Sequence, residues 1–284
     1  MTINKIAVIG GGLMGRQIAM NTCMYGKEAF LFDTREEVIS NVKQWAETYL
    51  DGRVKKGRKT EQEISDIQGR FHVCSSLAEV VEGVDCVIEA IVEIEAEKRK
   101  LFQELDGILD KKTIIATNSS YMVSSLFADD ISSPSRLANM HFYNPALVMK
   151  FVEIVKGPHT SEETAQALFE FCTATGKTPI LMRKELPGFA ANYILAGLYE
   201  RAEWLVENEY CSPYDVDLAC ENGLGHPMGP FRLLDLTGID LKLDIMRKEY
   251  EKTGKKTRMY QLYESMVKEG KLGRKSGEGF YKYK

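Results

Sequence analysis

Lys5-Ile6-Ala7-Val8-Ile9-Gly10-Gly11-Gly12-Leu13-Met14-Gly15 joins a short apolar run to a glycine cluster and then to residues of helical spacing that continue to position 25. The glycines fit G-x-G-x-x-G, and the flanking strand and helix patterns supply the context that makes such a match meaningful. Gly10 suits a tight turn. Gly12 lets backbone approach a diphosphate, and Gly15 lets helix and strand pack closely, so Gly10, Gly11, Gly12, Leu13, Met14 and Gly15 are candidate dinucleotide contacts. Eighteen residues past Gly15 the apolar run Phe30-Leu31-Phe32 ends in Asp33, where such a fold carries the carboxylate that binds the adenosine ribose. A carboxylate there repels a 2′-phosphate and favours NAD, while Arg35 beside it leaves NADP open.

Outward from this loop, apolar runs at 29–32, 71–74, 86–91, 113–116, 137–141, 151–155 and 178–182 read as strands. Helical spacing at 13–25, 36–54, 95–109 and 161–175 alternates with them, with caps expected near Thr60-x-x-Glu63 and Ser161-x-x-Thr164. That rhythm predicts an α/β, Rossmann-type domain with a mainly parallel sheet over residues 1–184. The breaker Leu186-Pro187-Gly188 marks a change of pattern. Helical stretches at 189–207, 213–221, 228–236 and 240–271 follow, which predicts a smaller all-α domain over 185–284.

The 284 residues carry 37 Lys plus Arg against 41 Asp plus Glu, a net charge of -4, so no bulk positive field exists to hold nucleic acid or an anionic membrane. No window of the sequence is apolar enough to span a membrane, and the start shows no export signal, which together predict a cytoplasmic chain. Cys23, Cys74, Cys86, Cys172, Cys211 and Cys220 form no metal-ligand spacing, so neither zinc nor disulfides are expected.

A nicotinamide enzyme that oxidises an alcohol needs a base, commonly a histidine oriented by a carboxylate. Of the four histidines, His72 falls among strand residues, His159 follows a proline in a polar turn, and His226 lies in a Gly-Pro turn cluster. His141 ends a strand and opens His141-Phe142-Tyr143-Asn144-Pro145, the position where open α/β sheets keep their sites. Glu153, inside the apolar run 151–155, is costly there unless paired, and His141 is a suitable partner. Residue pattern alone also admits an ordinary strand histidine and an edge-facing glutamate.

Further stretches complete the picture: Val87-Ile88-Glu89-Ala90-Ile91-Val92-Glu93, Asn118-Ser119-Ser120, Met149-Lys150 with Glu153, Pro187-Gly188-Phe189 with Asn192, Pro227-Met228-Gly229-Pro230-Phe231, and Gly277-Glu278-Gly279-Phe280-Tyr281. With the glycine loop and the His141 motif, they make the chain resemble, almost end to end, the 3-hydroxyacyl-CoA dehydrogenase family in its short bacterial 3-hydroxybutyryl-CoA type. The resemblance implies hydride transfer between NAD(H) and the 3-position of an acyl-CoA, with His141 and Glu153 as the base/acid pair. It also implies that Ser120 and Asn192 hydrogen-bond the reacting region, that Glu93, Lys98, Ser120, Asn144 and Lys275 contact the dinucleotide, and that Lys56 approaches the coenzyme A phosphates with Ser120 nearer the acyl end. By pattern alone Lys98 and Lys275 are solvated charges, and Lys56 is a solvated helix end.

Two features depart from the family. Thr117-Asn118-Ser119-Ser120-Tyr121 stands where Ser-Asn-Thr-Ser-Ser is usual, and Tyr193 follows Asn192 where arginine is usual, so a longer, branched or aromatic acyl group stays open. A short-chain dehydrogenase is excluded, because none of the 13 tyrosines has a lysine four residues on. A non-catalytic dinucleotide-binding relative is the alternative from another class. Apolar residues such as Phe189, Ile194, Leu195 and Leu198 exceed what a small helical domain hides within itself, which predicts a homodimer through that domain.

Overall fold

The computed structural model describes residues 1–254 and 257–283, and the chain divides into two compact units, Met1–Ala190 and Ala191–Lys284. The first is built on eight strands: β1 (Lys5–Ile9), β2 (Glu28–Phe32), β3 (Phe71–Val73), β4 (Cys86–Glu89), β5 (Ile114–Thr117), β6 (Leu137–Phe142), β7 (Phe151–Val155) and β8 (Thr178–Met182). They form one sheet in the order β3-β2-β1-β4-β5-β6-β7-β8. β1 to β6 run parallel, as the alternation with helices requires, while β7 turns antiparallel against β6 and β8 pairs parallel with β7.

Both faces of the sheet are covered. Ile6, Val8, Ala29, Leu31, Ile88 and Ala116 point into a core shared with helices α1 (Leu13–Met24), α2 (Glu36–Lys55), α3 (Glu61–Gln68) and α6 (Glu162–Ala174). The intervening Ala7, Ile9, Val87 and Ile115 point the other way, to α4 (Leu77–Val80), α5 (Glu95–Ile108) and Phe127. Strands buried on both faces read as unbroken apolar runs, which is why β1 and β4 lack polar alternation. The expected caps are present. Thr60 and Glu63 close a capping box at α3, and Ser161 accepts the Thr164 N–H at α6.

Two glycines show why the opening stretch has its composition. Gly10 takes φ +107°, and a Cβ there would lie 2.5 Å from the carbonyl oxygen of Ala90, just past the end of neighbouring β4. A Cβ on Gly15 would lie 1.8 Å from the Gly10 carbonyl oxygen. Any side chain at either position would push helix α1 off the strand end.

The second unit takes in most of α7 (Phe189–Glu207), then α8 (Pro213–Leu218), α9 (Pro230–Thr237), α10 (Ile239–Thr253) and α11 (Arg258–Lys268). The helical stretch expected over 240–271 is two helices, because Gly254 takes the left-handed conformation and ends α10, and Thr257 caps α11 by accepting the Tyr260 N–H. Phe231, Leu234, Ile239, Leu243 and Tyr263 form its core. Buried Asp217 accepts the N–H groups of Phe231 and Arg232 at the start of α9. Buried Asp235 accepts those of Phe280 and Tyr281 and the Tyr283 hydroxyl, which explains the aromatic C-terminal motif as an anchor for the tail.

Candidate active site

The β6–β7 register sets His141 directly opposite Glu153. Directly paired residues on antiparallel strands bring their Cβ atoms to about 5 Å, within reach for imidazole and carboxylate. His141 Nδ1 lies 2.9 Å from Glu153 Oε2, and Glu153 is fully buried (0% exposed). A buried carboxylate accepts at Nδ1, so that nitrogen carries the proton and Nε2 presents its lone pair. Nε2 faces Ser120 Oγ at 3.0 Å, from the loop that follows β5. The Asn118 side-chain oxygen accepts the Phe142 N–H and ties this loop to the end of β6. His141, Glu153 and Ser120 therefore form one constellation, with Phe189 covering the imidazole at a ring distance of 5.3 Å.

Tyr143 belongs to this group and was not singled out from the sequence. Its hydroxyl donates to Glu153 Oε2 at 3.0 Å, and its ring lies 4.6 Å from that of His141. Burial pushes the phenol well above its ordinary value, and the adjacent Glu153 charge adds to the shift. The available signal was the i, i+2 spacing from His141, which puts both residues on one face of an extended segment.

A second polar cluster lies at the ends of β4 and β5. Glu89, also fully buried, accepts from Lys98 Nζ at 2.6 Å, the Ile91 N–H at 2.8 Å and Thr117 Oγ1 at 2.6 Å. Lys98 reaches Glu93 at 3.2 Å, and Ser119 Oγ donates to Glu93. Lys98 is thus a buried ion-pair partner, 1% exposed, rather than a solvated charge. Its position on α5 points the ammonium at a carboxylate that burial would otherwise leave unpaired. Glu89 carried the same signal as Glu153, an acid inside an apolar strand.

At the glycine loop, Gly11 N–H donates to Asp33 Oδ2 at 2.9 Å, which ties the loop to the end of β2. Arg35 reaches Asp33 Oδ1 at 3.2 Å. Burial acts to raise the Asp33 carboxyl, but the Arg35 side chain with the Gly11 and Arg35 N–H groups outweighs it and holds the group below the usual carboxylate range. The loop fits a dinucleotide diphosphate. A Cβ on Gly12 would meet no described atom within 4 Å, and Gly12 as N-cap places no side-chain hydrogen bond on the first turn of α1. The positive end of the helix therefore lies at the glycine loop, where Gly12 carries no side chain. Leu13 and Asn144 are exposed at the same end of the sheet, Asn144 preceding a cis peptide to Pro145.

Lys56 caps the C-terminus of α2 and is exposed. Asn192 lies on α7 in the second unit, and Lys275 lies in the turn Arg274–Ser276, its Nζ paired with Asp240 at 2.6 Å. His72 stacks on Phe30 at the sheet edge, and His159 neighbours Ser124 at 3.5 Å. All six cysteines are free, and among the described residues no cluster of side chains could hold a metal ion. No described helix is long and apolar enough to cross a membrane.

The model of the 3-hydroxyacyl-CoA dehydrogenase NAD-binding domain matches residues 5–186, and that of the family's C-terminal domain matches residues 188–283. The mitochondrial hydroxyacyl-coenzyme A dehydrogenase of Rattus norvegicus is 37% identical over 99% of this chain and 92% of its own length. A probable 3-hydroxybutyryl-CoA dehydrogenase of Bacillus subtilis is 36% identical over 100% of this chain and 98% of its own. The crystal structure of (S)-3-hydroxybutyryl-CoA dehydrogenase from Ralstonia eutropha superposes with a TM-score of 0.88 at 31% identity, covering 100% of both chains. With two family models spanning nearly all of its length and a built dinucleotide loop, this chain belongs to the 3-hydroxyacyl-CoA dehydrogenase family and is an oxidoreductase that uses a nicotinamide dinucleotide.

Proposed function

We propose that this enzyme interconverts an (S)-3-hydroxyacyl-CoA and the 3-oxoacyl-CoA with NAD(H), and that 3-hydroxybutyryl-CoA and acetoacetyl-CoA are its substrates. The carrying observation is the His141–Glu153 pair, with Nδ1 bound to a buried carboxylate and Nε2 turned to Ser120. The nicotinamide, when bound, supplies the acceptor or donor of hydride. His141 Nε2 takes the proton of the 3-hydroxyl in oxidation and returns it in reduction. Glu153 keeps the imidazole in the correct tautomer and stabilises the imidazolium. Ser120 orients the reacting oxygen by hydrogen bonding, and the family resemblance assigns Asn192 the same task.

Asp33 favours NAD over NADP, because its carboxylate would repel a 2′-phosphate and already engages Arg35. The glycine loop holds the diphosphate, Asn144 and Glu93 contact the dinucleotide, and Lys98 acts through Glu93. Lys275 completes the dinucleotide set and Lys56 neutralises coenzyme A phosphate. Residues 185–284 supply substrate and dimer contacts. Tyr193 and Ile194 on α7 are 63% and 71% exposed within the protomer, a surface a second copy would cover.

The test is loss of NADH absorbance on mixing with acetoacetyl-CoA, repeated with NADPH and with longer and branched 3-oxoacyl-CoA thioesters. His141→Ala should still bind NADH while turnover falls at least about 100-fold. Failure to oxidise NADH with any 3-oxoacyl-CoA, or unchanged turnover in His141→Ala, contradicts the proposal.

A further inference from the structure

The His141–Glu153 pair leaves Tyr143 without an assigned role, although its placement is specific. Tyr143 Oη and His141 Nδ1 meet the same carboxylate oxygen, Glu153 Oε2, at 3.0 and 2.9 Å. The Tyr143 ring is held between His141 and Phe151, whose ring lies 5.4 Å away, so the hydroxyl has little freedom to leave that oxygen. Half-buried and beside an anion, the phenol remains a protonated donor across the ordinary working range of pH. Two donors therefore draw on one acceptor. A hydrogen bond from a neutral phenol stabilises the ionised carboxylate and spreads its charge, leaving less to stabilise an imidazolium at the same oxygen.

We infer that Tyr143 is a positioning residue that sets how strongly Glu153 supports protonated His141, and so sets the pH at which Nε2 changes from proton acceptor to proton donor. This rests on the reading of His141 as the base. Ionisable neighbours of the pair include Tyr143 itself and Tyr121, which follows Ser120 and adds to the upward push on the Tyr143 phenol. Ser120 is neutral, Phe151 and Phe189 are apolar, and Ile180 stands opposite Glu153 on β8. The pH range over which the pair works is thereby tuned from behind the carboxylate, by a group that need not touch the substrate.

Tyr143→Phe keeps the ring and removes only the hydroxyl. With the phenol's hydrogen bond to Glu153 Oε2 removed, the carboxylate supports imidazolium more strongly, imidazolium persists to higher pH, and oxidation needs the neutral ring. The acidic limb of the pH profile of kcat/KM for 3-hydroxybutyryl-CoA oxidation should therefore move up by about half to one pH unit, the shift expected for one neutral hydrogen bond. Replacing Tyr143 by 3-fluorotyrosine, a stronger donor of nearly the same shape, should move the limb down, and it serves equally if the phenylalanine variant does not fold. A limb that stays in place in the folded variants, whether or not the rate falls, overturns the inference, since packing alone does not move it. His141→Ala separates the two claims: if it abolishes turnover while the Tyr143 variants keep the parental limb, only the role of Tyr143 fails. If His141→Ala retains turnover, both fail.

Discussion

Replacing Glu153 by glutamine tests the geometry of the pair with almost no change of volume. The carboxylate is fully buried, and its Oε2 accepts from both His141 Nδ1 and Tyr143 Oη. A glutamine can offer His141 only a neutral oxygen or an amide N–H. The oxygen leaves the imidazolium without its counter-charge, and the N–H forces the proton onto Nε2, where it blocks proton abstraction. Two unit charges about 4 Å apart interact by about 4 kcal/mol at an effective dielectric constant of about 20, which is about three decades in rate. An amide in place of the orienting carboxylate of a catalytic triad costs about four decades, so a fall in turnover of about 10³- to 10⁴-fold is expected. The assay is steady-state NADH oxidation with acetoacetyl-CoA, alongside NADH binding by fluorescence and a thermal melt. Binding should be preserved, because the glycine loop and Asp33 are untouched, and the melt should not fall, because a buried charge has been removed. Turnover within tenfold of the parent, or a loss that tracks lost NADH binding, would refute the reasoning.

Lys98→Met should destabilise the protein by about 3–5 kcal/mol, because buried Glu89 loses the ammonium at 2.6 Å. For a domain of this size that lowers the melting temperature by roughly 6–20 °C, and the double change Lys98→Met with Glu89→Gln should recover most of it; a melt within about 2 °C of the parent contradicts the pairing. Asp106 predicts a pH dependence of stability. Burial raises its carboxyl, but Ser132, Arg136 and Lys111 outweigh this and hold it at about 2, against an ordinary 3.8. Because the folded value is the lower one, its contribution is present above about pH 4 and is lost as pH falls toward about 2. Urea midpoints measured down that range should fall less steeply for Asp106→Asn, and parallel curves would rule this out.

Much of the fold was legible because its determinants are local. The glycine loop, the apolar runs of β1, β4 and β5, and the caps at Thr60 and Ser161 each follow from backbone geometry or burial within a few residues. The break of the 240–271 stretch at Gly254 is also local, but the continuous apolar period on either side masks it in the sequence. By pattern alone Lys98 reads as solvated, because a charged residue on an amphipathic helix looks exposed until its partner strand is known. Glu89, four residues upstream of Glu93 and buried on β4, is that partner.

The sequence by itself determined the αβ alternation, the turn that can admit a diphosphate, and the two residues, His141 and Glu153, whose chemistry suits a proton relay. Which strands become neighbours, and in which direction, depends on the packing of the whole sheet. The antiparallel pairing of β6 with β7 sets His141 opposite Glu153, and a slip of one residue would turn the carboxylate to the other face. Only that register, with the loop after β5 folded beneath it, brings Ser120 to Nε2 and Tyr143 to the shared carboxylate oxygen.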